Sequence, residues 1–149
     1  EITDIDAEGR LIVADCLSYC IKNYNYKYII DMGTFTAMNN CYISYSYFTE
    51  SKKLSKNIEK EAKIYSEKIL KNEPIIEYKN LYKSNRGDLV NYVNNIECTE
   101  SQLHPYFLLN FMEKDKKRWI HINLSMMSVN SKYSILEGSE SLYNFVKKL

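Results

Sequence analysis

The stretch DIDAEGRLIVAD, residues 4–15, crowds Asp6, Glu8 and Arg10 against the start of an apolar run. Leu11, Ile12, Val13 and Ala14 follow at once, so three ionisable groups stand at the edge of what reads as a core helix. Spacing alone leaves two readings open. In the local one, Asp6 caps the helix, Glu8 meets the positive end of its dipole and Arg10 lies on the surface. In the chemical one, the two carboxylates, one residue apart, point at a single divalent cation where the chain turns from strand into helix.

Working outward, GRLIVADCLSYCIKN predicts a helix over residues 9–23. Its apolar positions cover more than half the circumference, which predicts burial. Residues 1–5 read as the tail of a strand before it. YKYIIDMG, residues 26–33, is a short apolar run closed by Asp and Gly and predicts an interior strand covered on both faces. Helix followed by buried strand is half of a βαβ unit. Alternation over residues 41–48 predicts another strand. Residues 51–72 predict one amphipathic helix through Leu54, Ile58, Ala62, Tyr65 and Ile69, with its lysines on a solvated face and Pro74 as its stop.

Residues 75–98 read as loop. A helix follows over 100–113, with Pro105 harmless in the first turn if the helix starts near Leu103. RWIHINLSMM, from Arg118, reads as a strand, and residues 139–149 as a last helix presenting Leu142, Phe145 and Val146. The fold class is therefore α/β: a mixed, largely buried central sheet flanked by helices, in one domain spanning residues 1–149.

A formal charge of +1 over 149 residues argues against a polyanion-binding surface, so no nucleic-acid partner is expected. No run reaches the ~20 apolar residues of a membrane span, and no signal peptide is visible. Cys16 and Cys20, at i and i+4, read as small fillers on a buried helix; with Cys41 and Cys98 they point to a reducing compartment, the cytoplasm. His104 and His121 read as hydrogen-bonded packing residues, and Met126 and Met127 as core filling.

The opening stretch is more specific than its spacing. EITDIDAEGRLIVADCLSY, residues 1–19, closely resembles the signature of the M17 leucyl aminopeptidases, Asn-Thr-Asp-Ala-Glu-Gly-Arg-Leu followed by an apolar Ala-Asp-Ala-Leu helix. YIIDMGTFTAM (28–38) is similar to that family's Ile-Asp-Ile-Ala-Thr-Leu-Thr-Gly segment. YKSNRGDLVN (82–91) resembles its Ser-Asn-x-Ala-Asp-Leu-x-Asn stretch, and RWIHINLS (118–125) its Trp-Ala-His-Leu-Asp-Ile-Ala strand.

The resemblance implies a peptidase using two divalent ions, zinc or manganese, to polarise the scissile carbonyl and supply an activated water. It implies Asp6 and Glu8 as metal ligands, and Arg10 as the catalytic residue holding a bicarbonate-like anion. Thr34, Phe35 and Ala37 would line the substrate site. The family's other ligands, a lysine and two aspartates, precede this signature, as does a second lysine. The chain is thus expected to be the C-terminal, metal-binding portion of the catalytic domain, incomplete on its N-terminal side and completed by an upstream segment or separate chain. Implied partners are peptide substrates with leucine-like N-termini and further copies in a hexamer.

Several residues depart from the pattern. Asp4 and Ile5 replace Asn-Thr, Ala37 and Met38 replace Gly-Ala, Asn123 stands for Asp, and residues 126–138 lack the family's glycines. These departures support an alternative: a catalytically inactive homologue serving as a structural or interaction subunit.

Overall fold

A 3-10 turn, Ile5–Ala7, passes through Glu8 into α1, Gly9–Asn23; Glu8 is itself in the right-handed helical region, so the helical path is continuous. In this computed structural model, β1 (Ile29–Gly33), β2 (Tyr45–Phe48), α2 (Lys52–Ile64), β3 (Ile69–Lys71), α3 (Ile76–Leu81), α4 (Glu100–Met112), β4 (Trp119–Leu124) and α5 (Ser139–Lys147) follow. The structure describes residues 1–34, 43–73, 75–94, 100–112, 114–124 and 138–149.

The four strands lie in the order β1-β4-β2-β3. β4 pairs parallel with β1 and antiparallel with β2, and β2 pairs parallel with β3. The expected mixed α/β architecture is therefore observed. Side chains alternate across the sheet. One face gives Trp119 and Phe48 to a core completed by Ala14 and Leu17 of α1 and by Leu103, Tyr106, Phe107 and Met112 of α4. The other gives Tyr45, Tyr47, Ile120 and Ile122 to a core with Leu54 and Ile58 of α2 and Phe145 of α5. Helices thus cover both faces.

Several expectations need correction. Residues 1–5 form no strand; Asp4 instead caps the 3-10 turn. β1 is at an edge of the described sheet, with Met32 52% exposed, and the interior strands are β4, buried except at Leu124, and β2, buried throughout. α1 has the expected bounds but buries only Arg10, Ala14 and Leu17, the stripe that meets its neighbours, while Ile12 is 61% exposed. Cys16 is exposed and Cys20 half-buried, so they do not fill a core.

The amphipathic segment is a helix only as far as Ile64. Ser51 caps it, its side chain accepting from the Leu54 amide at 3.3 Å; Leu54, Ile58 and Ala62 face inward and the lysines outward. Ser66 then turns the chain with φ 56°, and Ile69 enters β3 beside β2. The helix therefore stops before Pro74, which lies outside the described residues. The region expected to be loop contains α3, and Pro105 sits inside α4 rather than in its first turn. At the start of α5, Gly138 has φ +89°, and a Cβ there would lie 2.6 Å from Tyr45 Cδ1. Only glycine fits both constraints.

Candidate functional site

The site begins where α1 begins. Asp4 is extended, and its carboxylate accepts the Asp6 amide at 2.8 Å. That bond gives Asp4 the capping role and leaves the Asp6 carboxylate out of it, so Asp6 is not the cap. Glu8 stands at the N-cap position of α1 but makes no side-chain cap bond. Both Asp6 and Glu8 are exposed. Two acidic side chains stand at the positive end of a 15-residue helix, neither of them capping it, and the dipole favours the negative charge of each there.

Arg10 is not on the surface: it is 5% exposed. Its Nη1 donates to the Asn91 carbonyl at 2.8 Å, its Nη2 lies 3.1 Å from His104 Nε2, and its guanidinium stands 5.6 Å from the centre of the Tyr92 ring. Arginine only donates, so His104 accepts through Nε2 and carries its proton on Nδ1. Burial drives the His104 pKa down to about 2, with the charges of Arg10 and His121 adding to the fall. The imidazole stays neutral, which suits a neighbour of a buried cation.

Deeper on the same sheet face, Asp31 of β1 bridges two neighbours on β4. Its Oδ1 is 2.6 Å from His121 Nδ1, and its Oδ2 accepts from Trp119 Nε1 at 2.5 Å. His121 is fully buried in the hydrogen-bonded packing role expected of it. Ser46 and Asn123, register partners on β2 and β4, are also fully buried.

Asn91 organises the turn. It is 1% exposed and follows a short turn closed by the Lys83–Leu89 bridge and by the Val90 amide donating to Tyr82 O at 2.9 Å. Its Oδ1 accepts the amides of Thr3 at 2.8 Å and Asp4 at 3.3 Å. Its Nδ2 donates to the carbonyls of Asp4 at 2.6 Å and Ala7 at 3.3 Å. Its own carbonyl receives Arg10. The only signal available was that Asn91 closes the YKSNRGDLVN segment.

Thr34 follows β1 directly and is exposed; Phe35, Ala37 and Met38 lie outside the described residues, as do Cys41, Cys98, Met126 and Met127. Among the described residues, no three His, Cys, Asp or Glu side chains cluster as a metal-binding group. Asp6 and Glu8 offer hard oxygen atoms of the kind that divalent cations take, and two carboxylates alone do not complete a coordination shell.

Comparison with known proteins places this geometry in a family. Residues 1–141 match the model of the cytosol aminopeptidase family, catalytic domain (peptidase M17). A probable cytosol aminopeptidase of Chlorobium limicola is 32% identical over 144 residues, covering 93% of this chain and 28% of that protein. One from Legionella pneumophila is 32% identical over 130 residues, covering 84% and 26%. The apo leucyl aminopeptidase of Trypanosoma cruzi superposes with a TM-score of 0.84 at 19% identity, covering all of this chain and 30% of that one. The chain thus spans under a third of the length of the relatives it matches, and over that span it belongs to the catalytic domain of the M17 cytosol aminopeptidase family.

Proposed function

We propose that this chain is the C-terminal, metal-binding portion of a di-metal aminopeptidase catalytic domain, releasing leucine-like N-terminal residues from peptides. The observation that carries the reading is the exposed, non-capping pair Asp6 and Glu8, held on a helical turn whose backbone is fixed by Asn91. These carboxylates would hold two divalent ions, zinc or manganese, together with donors from an upstream segment or chain. When bound, such ions supply Lewis-acid polarisation of a peptide carbonyl.

The chain's own residues have distinct tasks. Asp6 and Glu8 bring negative charge to the helix start. Arg10 would hold a bicarbonate-like anion. Thr34, which directly follows β1, would contact the substrate together with Phe35 and Ala37. The working form is a homo-hexamer in the cytoplasm, as the resemblance to cytosol aminopeptidases suggests.

A second reading has one observation in its favour. Arg10 already serves the Asn91 carbonyl and His104, which suits a structural guanidinium in an inactive homologue acting as an interaction subunit. Metal analysis and leucyl-amide hydrolysis by the full-length protein separate the two. The aminopeptidase reading expects about two ions per protomer and at least a hundredfold loss of kcat/KM in Asp6→Ala and Glu8→Ala. Full activity in both variants overturns the assigned roles, and a protein holding no metal favours the silent subunit.

A further inference from the structure

Asn91 stands apart from the other buried polar residues because all of its bonding capacity goes to one short piece of chain. Side chain and main chain together engage Glu1, Thr3, Asp4, Ala7 and Arg10. The Asn91 amide donates to Glu1 O at 3.0 Å, Oδ1 takes the Thr3 and Asp4 amides, Nδ2 serves the Asp4 and Ala7 carbonyls, and the Asn91 carbonyl takes Arg10 Nη1. The bonds to Asp4 and Ala7 bracket Asp6, and those to Ala7 and Arg10 bracket Glu8. No side-chain partner among the described residues fixes either carboxylate, so their presentation depends on the backbone beneath them. That backbone is pinned from a position more than eighty residues away.

Resting on the metal-site reading above, we propose that Asn91 is the positioning residue of the Asp6–Glu8 site. It touches neither metal nor substrate; it sets the turn from which the carboxylates reach the cation. A carboxamide suits the task because it both donates and accepts at a buried site facing amides and carbonyls at once. Asp offers the same shape without the donor. Ala offers neither.

The test uses full-length protein with Mn2+ as the probe, followed by electron paramagnetic resonance of the free ion, and amide hydrogen exchange over residues 3–8 read by NMR. Asn91→Ala is expected to weaken Mn2+ binding at least tenfold and to speed exchange of the Thr3 and Asp4 amides at least tenfold. Ile58→Val, a mild core change on the opposite sheet face, is expected to alter neither. Should Asn91→Ala not fold, the isosteric Asn91→Asp decides. Its added negative charge would by itself tighten cation binding, so the expected loss of affinity reports lost geometry. Mn2+ affinity equal to wild type in Asn91→Ala, or equal or tighter in Asn91→Asp, overturns the proposal while leaving the metal site standing. A wild-type protein that takes up no Mn2+ overturns the metal reading itself, and the positioning role with it.

Discussion

The two faces of the sheet are built on different principles. Toward α2 and α5, the strands offer Tyr45, Tyr47, Ile120 and Ile122, whose bodies fill an apolar layer; the hydroxyl of Tyr45 meets Ser141 at 2.8 Å and that of Tyr47 meets Ser55 at 2.9 Å. Toward α1 and α4, the same strands offer Asp31, His121, Asn123 and Ser46 beside Trp119 and Phe48, and the helices add Arg10 and His104. On the first face the buried polar groups, Ser55, Glu61 and Ser141, come from the helices. The other carries a buried polar layer that runs out to the turn bearing Asp6 and Glu8. Buried polar groups lower stability unless fully paired, so this layer is the more costly of the two to build.

The contrast can be broken at either face. The largest effect is expected from Asp31→Leu, which strips the acceptor from two buried donors, Trp119 Nε1 and His121 Nδ1. At ~1–3 kcal/mol for each stranded group, the loss should be about 3 kcal/mol in urea unfolding. The apolar face should fail instead by shape. Gly138→Ala forces a Cβ into Tyr45 and a non-glycine residue into positive φ, for a loss of about 2 kcal/mol.

A pH series sharpens the comparison. His104 is neutral when folded, with its pKa held at about 2, but takes a proton near pH 6.5 once unfolded. Its stabilising contribution is whole above pH 6.5 and shrinks as pH falls from there toward 2, by about 1.4 kcal/mol per pH unit. His104→Gln should flatten that slope. Ile120→Val, on the other face, should lower stability by about 1 kcal/mol and leave the slope unchanged. Equal slopes in wild type and His104→Gln would remove His104 from the account.

Local patterning carried much of the fold. α1 is bounded by an apolar run between Gly9 and Asn23, β4 reads as a strand from Arg118, and α5 as a helix presenting Leu142, Phe145 and Val146. The pattern failed where two periods overlapped. Ile69 falls four residues after Tyr65 and so continued the helical series, although Ser66 had already turned the chain into β3. It also failed on burial, because a helix apolar most of the way round buries only the stripe that neighbours reach: Ile12 stays out while Arg10 goes in.

At the candidate site, Asp6, Glu8 and Arg10 can be picked out because they lie within five residues and match a family signature. The organising role of Asn91 and the bridging role of Asp31 are not legible, and His104 is legible only as a hydrogen-bonded packing residue, without its partner Arg10, since each acts across the fold through contacts that leave no local rhythm. The fate of Arg10 shows the same limit. Position near a helix start suggested exposure, and only its distant partners explain its burial.

The most direct measurement is a Mn2+ titration of the full-length protein against Glu8→Ala and Asp6→Ala. The account predicts two ions per wild-type protomer and the loss of at least one in each variant, with thermal unfolding little changed. Unaltered stoichiometry and affinity in both variants would contradict it.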